Sequence, residues 1–177
     1  MREFAFQLQS GHKNAYDVHQ KIWDVVRMIA GDGAKFLFRA IGDVAKVRIV
    51  SPVRINGGRE AVMPVDGERY KFCVLVNPMR RVGHGSRREP VSSVDAAREI
   101  TVCLLSNGGF DVEQATGEFV SGPFFGKPGM KDFVIRSFNV WGVVRVRDEK
   151  KAREAIATGI GRSRRFGYGM IDLEKAQ

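Results

Sequence analysis

Four glycines fall within residues 159–169, Gly-Ile-Gly-Arg-Ser-Arg-Arg-Phe-Gly-Tyr-Gly, between a short helical pattern over 148–158 and the apolar run Met170, Ile171 and Leu173. That placement makes the stretch a helix-to-strand connection. Gly159, Gly161, Gly167 and Gly169 let its backbone enter the left-handed region and approach a neighbour closely. Arg162, Arg164 and Arg165 add positive charge with no acid among them. Two readings follow from the spacing: a loop that holds a phosphate chain, or a glycine-capped helix end with solvated arginines. The stretch lacks the Gly-Lys-Ser/Thr ending of a P-loop, and it does not open a helix after a strand as a dinucleotide fingerprint does. No nucleotide cofactor is expected.

The elements around this loop are read from periodicity. Residues 2–9 alternate, with Phe4, Phe6 and Leu8 on one face, which predicts a half-buried strand. Asn14 then reads as an N-cap, Asp17 sits in the first turn, and Val18, Ile22, Val25, Val26 and Ile29 recur at helical spacing. Strands over 35–39 and 45–50 are joined at Gly42-Asp43. Between 52 and 67, two prolines, three glycines and little periodicity stand where a second helix would be, and they place a boundary between a half at 1–67 and a half at 68–177. The later half reads as a strand over 69–76, a helix over 94–106, strands over 110–120 and 133–146, a helix over 150–158 and a last strand after the loop. Residues 79–90 carry Arg80, Arg81, Arg87 and Arg88 and read as a mobile basic loop, either holding RNA or solvated. The order β-α-β-β-α-β is the ferredoxin-like split pattern, and the first half matches its first four elements. The expected fold is α+β, with tandem ferredoxin-like (RRM-like) halves, the first one reduced.

Lys and Arg outnumber Asp and Glu by 29 to 20, so the chain carries a net charge of +9, which favours a polyanionic partner such as nucleic acid or an anionic membrane surface. No apolar run approaches the ~20 residues of a membrane span, and Met-Arg-Glu-Phe does not open a signal peptide. A cytoplasmic protein is expected. Cys73 and Cys103 lie in apolar stretches with neither Cys-x-x-Cys spacing nor nearby histidines, which predicts buried reduced thiols and no metal site. A generic sheet-surface RNA binder would carry a Lys/Arg-Gly-Phe/Tyr-x-Phe/Tyr strand, and none is present.

Three histidines are available. His19 falls on the rim of the apolar stripe of the first helix, with Tyr16 and Trp23 a turn to either side. A rim histidine touches both a packed interior and an open cleft, which suits proton transfer near neutral pH; the bland reading is a satisfied boundary side chain. His12, in a turn, and His84, between two glycines, have nothing apolar to hold them still.

Separated stretches resemble one family. Residues 14–23, Asn-Ala-Tyr-Asp-Val-His-Gln-Lys-Ile-Trp, are similar to the Tyr-x-x-His-x-x-Leu-Trp helix of the CRISPR-associated repeat-RNA endoribonucleases of the CasE (Cse3) type. Phe36-Leu37-Phe38-Arg39 resembles the strand that follows, and Leu75-Val76-Asn77-Pro78-Met79-Arg80 resembles the family's Arg-Ala-Asn-Pro-basic segment. Residues 159–173 resemble the glycine-rich loop of the wider repeat-associated RNA-binding (RAMP) superfamily. The chain departs from the pattern in two places: it is short between Val50 and Arg69, and Val-Leu-Val precedes Asn77 where an arginine is usual.

The resemblance implies metal-independent cleavage of a CRISPR repeat transcript by the ribose 2′-hydroxyl, leaving a 2′,3′-cyclic phosphate and a 5′-hydroxyl. His19 would move the proton, and Tyr16 would orient the 2′-hydroxyl or share in the transfer. A cation for the phosphorane would come from Lys127, Lys131, Arg136 or a loop arginine, among which the sequence does not choose. RNA contacts are expected from these residues, from Gly159, Gly161, Arg162, Arg164, Arg165, Gly167 and Gly169, and from Arg80 and Arg81. The implied partners are a stem-loop repeat RNA, the mature crRNA and other subunits of a Cascade-like complex. A non-catalytic crRNA-binding subunit on the same fold is the alternative.

Overall fold

The computed structural model describes residues 1–8, 14–83, 88–122, 124–125 and 133–176. His12, His84, Arg87, Lys127 and Lys131 lie outside the described residues. The first half runs β1 (Arg2–Gln7), α1 (Ala15–Ala30), β2 (Lys35–Ile41), β3 (Val44–Val50) and β4 (Arg59–Glu60). The second runs β5 (Arg69–Val76), β6 (Met79–Arg81), β7 (Arg88–Pro90), α2 (Val94–Asn107), β8 (Phe110–Val120), β9 (Phe124–Phe125), β10 (Phe133–Val134), β11 (Ser137–Val146), α3 (Glu149–Thr158), a 3-10 turn at Arg164–Phe166 and β12 (Ile171–Lys175).

Each half builds an antiparallel four-stranded sheet, in the order β2-β3-β1-β4 and β8-β11-β5-β12. Both are the ferredoxin order, in which each split β-α-β unit leaves room for one strand between its own two. The first half is therefore more complete than expected. Its fourth strand exists, two residues long, pairing Arg2 with Glu60 and Glu3 with Arg59. What is missing is its second helix, since 51–58 holds none. The basic segment at 79–90 also differs from expectation: its flanks pair as the β6–β7 ladder from Met79↔Pro90 to Arg81↔Arg88.

Helix α1 forms where the sequence reading put it. The Asn14 side chain accepts a hydrogen bond from Tyr16 N at 3.0 Å, and Gly31, at φ 78°, ends the helix by donating to Arg27 O. Val18, Ile22 and Val26 are buried against Phe38, Val47 and Ile49 of the first sheet. In the second half α2 and α3 cover Phe72, Val74, Phe138 and Val140. Cys73 is half-buried and Cys103 exposed, both free. The expectation of two buried thiols fails for Cys103 because α2 buries Ala97, Thr101 and Leu105, and Cys103 lies off that stripe.

Alternation along β2 and β3 sends Phe36, Phe38, Val47 and Ile49 toward α1 and leaves Leu37, Arg39, Lys46 and Arg48 on the opposite face. That face meets the second half. Arg48 and Glu3 are 2% and 4% exposed, and Glu3 Oε1 accepts from Arg48 Nη2 at 2.6 Å and Nε at 2.9 Å. Arg48 Nη1 donates to Ile156 O near the end of α3 at 3.0 Å, and Lys46 pairs with Asp172 of β12. Arg59 of β4 closes on Glu3 Oε2 at 2.9 Å. Burial alone would push the Glu3 carboxyl up, but Arg48, Lys46 and Arg59 outweigh it and hold the group below its ordinary value of 4.5.

Arg48→Met should therefore cost about 3–5 kcal/mol in urea unfolding, because it leaves Glu3 with less compensation in the interior. A carboxylate whose folded pKa is depressed stabilises above its unfolded pKa and loses that contribution as pH falls through the folded value. Wild-type stability should thus decline below pH 4.5, and the variant should show a shallower acid decline; equal acid dependence would contradict the pairing.

Candidate active site

Residues 159–169 leave α3, pass around the edge strand β2 and enter β12. Gly159, Gly167 and Gly169 are buried. A Cβ on Gly169 (φ +77°) would lie 2.0 Å from Ile160 O, and one on Gly167 (φ +90°) would lie 3.1 Å from Phe38. The loop's own hydrogen bonds run Ile160 N→Gly169 O at 2.9 Å and Gly169 N→Leu75 O at 2.7 Å. These close approaches are made to the protein itself. Gly161 is half-buried against Leu104.

The arginines divide. Arg164 Nη1 donates to Thr158 O at 2.8 Å and Gly159 O at 3.4 Å, capping the carbonyls that end α3. Arg162 and Arg165 are exposed. The 3-10 turn packs on both α1 and β2, so a loop of the second half closes on the first turns of the helix of the first. Asn77, in the Asn-Pro segment, ties it down by donating to Ser163 Oγ at 2.9 Å.

His19 sits where loop and helix meet. Its ring is half-buried and stacks on Phe36 at 5.4 Å and 23°, with Phe38 at 6.2 Å. Nδ1 is shut off from solvent without a hydrogen-bond partner among the described residues, which leaves Nε2 as the atom open to chemistry. Burial, and then the charge of Arg165, pull its pKa below 6.5. Both causes favour the neutral ring over the imidazolium. Tyr16 lies one turn earlier on the same helix and is half-buried.

Beside this pair a cleft of about 620 Å³ opens between the halves, walled by Ala15 and Val18 of α1, Phe38 and Arg39 of β2, and Ser137 and Asn139 of β11. Phe166 and Gly167, next after Arg165, complete it. The sequence reading passed over Arg39 as a site residue and Asn139 altogether. Arg39 is 9% exposed, with Nη1 3.0 Å from Cys73 Sγ, Nη2 2.9 Å from Asn139 Oδ1, and Asp172 Oδ2 at 3.8 Å. Its only signal was a charge within an apolar strand.

The other described candidates belong to the second half. Arg80 and Arg81 are exposed on β6. Arg136 lies over the Phe119 ring at 5.5 Å and donates to Val91 O at 3.4 Å. Lys127 and Lys131, outside the described residues, belong to the stretch between β9 and β10, and β9 lies against α1. Among the described residues no group of three His, Cys, Asp or Glu stands together as metal ligands, and no helix is long and apolar enough to cross a membrane.

Nuclear magnetic resonance titration of His19 should give a pKa below 6.5, and Arg165→Ala should raise it while burial keeps it depressed. An unchanged value in that variant would remove Arg165 from the site.

The profile of a family described as CRISPR associated protein matches residues 2–175. No curated protein matches in sequence. Among solved structures, the chain is similar to the CRISPR endoribonuclease Cse3 bound to a 19-nucleotide RNA, with TM-score 0.75 and 15% identity over 98% of this chain and 100% of that one. It is similar to Cas6e from Escherichia coli K-12, with TM-score 0.74 and 16% identity over 99% and 98%. A chain of a CRISPR RNA-guided surveillance complex aligns with TM-score 0.71 and 17% identity over 99% and 100%. At these identities the likeness is one of fold.

Proposed function

Because this chain belongs to the CRISPR-associated protein family that its residues 2–175 match, we propose that it is an endoribonuclease that cuts CRISPR repeat transcripts into mature crRNA without a metal ion. The observation that carries this reading is His19, a desolvated imidazole with a depressed pKa beside an exposed arginine of the other half. Similarity to Cse3 bound to RNA supports the substrate class, and similarity to a chain of a surveillance complex supports partner subunits of a Cascade-like assembly.

In this mechanism Nε2 of His19 takes the proton of the ribose 2′-hydroxyl. The 2′-oxygen attacks the adjacent phosphorus, the bond to the 5′-oxygen breaks, and that oxygen leaves as a 5′-hydroxyl with a proton returned by the His19 imidazolium directly or through water. The other product ends in a 2′,3′-cyclic phosphate. Such proton transfer contributes about 10²–10⁴-fold, and the lowered pKa keeps the base form available at pH 7. The phosphorane carries extra negative charge, which Arg165 would meet; Lys127, Lys131 and Arg136 remain candidates for a second cation. Tyr16, one turn before His19, would orient the attacking hydroxyl. The stem of the repeat would lie on exposed arginines including Arg162, Arg80 and Arg81, with phosphate contacts giving a steep salt dependence. The product would stay bound.

His19→Ala should slow single-turnover cleavage of the cognate repeat RNA by at least about 10²-fold and leave RNA affinity nearly unchanged. The wild-type single-turnover rate at subsaturating enzyme should rise with pH to a plateau reached by neutrality, its acid limb centred below 6.5. Cleavage by His19→Ala at the wild-type rate would end the assignment. Tight repeat binding with no cleavage by wild type would favour a non-catalytic crRNA-binding subunit.

A further inference from the structure

The cleft between the halves has no role in the proton transfer just described, yet it begins one residue along from both groups that do. Val18 walls it and His19 follows on α1; Phe166 and Gly167 wall it, and Arg165 precedes them. An RNA strand whose scissile phosphate lay between His19 and Arg165 would bring an adjoining nucleotide near this cleft.

The wall opposite holds an amide of defined orientation. Arg39 Nη2 donates to Asn139 at 2.9 Å, and a guanidinium has no acceptor, so the Asn139 atom facing it must be Oδ1. Arg39 is in turn held by Cys73 and Asp172. The Asn139 amino group, with two donors, consequently turns away from Arg39, and it has no protein partner among the described residues. Asn139 lines the cleft. Ser137 and Tyr168 in the same wall satisfy each other at 2.5 Å, which removes them as competing readers.

Resting on the reading of this chain as a nuclease of repeat RNA, we propose that this cleft takes one unpaired nucleobase next to the scissile phosphate and that Asn139 reads its edge through the amide amino group. A pair of donors favours a base whose major-groove edge presents acceptors, O6 and N7 of guanine or O4 of uracil, over one that presents an exocyclic amino group there, N4 of cytosine or N6 of adenine. Splayed single-stranded bases held in pockets and read on their edges are how proteins take sequence from RNA. Phe38 and Phe166 supply the apolar part of the wall. Arg39 is a positioning residue: its guanidinium is engaged by Asn139, Cys73 and Asp172, and it fixes which end of the amide the base meets.

Asn139→Asp is the discriminating variant. It keeps the shape and the acceptor toward Arg39 and turns both donors into an acceptor. The probe is the cognate repeat RNA with a 2′-deoxy block at the scissile nucleotide, each nucleotide flanking the cleavage site changed in turn to all four bases, with affinity read by fluorescence anisotropy. Wild type should prefer uracil or guanine at one flanking position by about threefold to tenfold, the worth of one hydrogen bond. Asn139→Asp should reverse that preference toward cytosine or adenine and leave every other position unchanged. Arg39→Lys, which retains the charge near Asp172 and frees the amide, should flatten the same position, and thermal melts identify either variant if it is misfolded. A base profile identical in wild type and the folded variants would overturn the proposal. Because the probe cannot be cleaved, the profile reads the pocket even where wild type fails to cut the unblocked repeat, so loss of the nuclease reading and loss of the pocket give different results.

Discussion

The buried pair of Glu3 and Arg48 is the interaction on which the arrangement of the two halves depends. A ferredoxin-like sheet needs only one face for its helices, and the first sheet fills that face with α1. Its second face would ordinarily meet water. Here it is covered, and what crosses the junction is charge: Arg48 binds Glu3 within its own sheet and Ile156 O beyond it, Lys46 and Arg39 reach Asp172, and Arg39 reaches Asn139. Ions removed from water carry a desolvation cost that only near-complete pairing offsets, so this junction tolerates few relative placements of the sheets.

That restriction matters for chemistry because the candidate site is made by neither half alone. His19 and its aromatic floor of Phe36 and Phe38 come from the first half, while Arg165, Phe166 and Gly167 come from the connection between α3 and β12 in the second. The connection is stretched between two points of the charged junction: α3 gives Ile156 O to Arg48, and β12 gives Asp172 to Lys46. Its glycines permit the tight course around β2, where a Cβ at Gly169 would collide with Ile160 O. The loop's main role in the fold is thus to carry one exposed arginine to a histidine, with a second arginine, Arg164, spent on capping the helix behind it.

Much of this was readable from the chain, and the parts that were not share a cause. Helix α1, the β2–β3 hairpin and the second half's element order follow local rules, a capping asparagine and apolar periods of 3.6 and 2. The rim position of His19 followed from the same period. Strand β4 was invisible because two residues make no period and its hold on β1 comes from Arg59 meeting Glu3. The β6–β7 ladder was hidden by its arginines. Alternation along β2 and β3 marks Arg39, Lys46 and Arg48 as the polar face but is silent on whether water or another sheet covers it, so the junction and the Arg39–Asn139 contact were out of reach. Likewise the effect of Arg165 on His19 joins residues from opposite ends of the chain, which no local pattern reports.

Under the proposed mechanism a histidine base and protein cations suffice for cleavage. Mapping the product ends after incubating the purified protein with its cognate repeat RNA in excess EDTA tests it most directly. The rate should be undiminished, with a 2′,3′-cyclic phosphate on the upstream product and a 5′-hydroxyl on the downstream one. Cleavage that stops in the chelator and returns with Mg²⁺ or Mn²⁺, giving a 5′-phosphate, would contradict it.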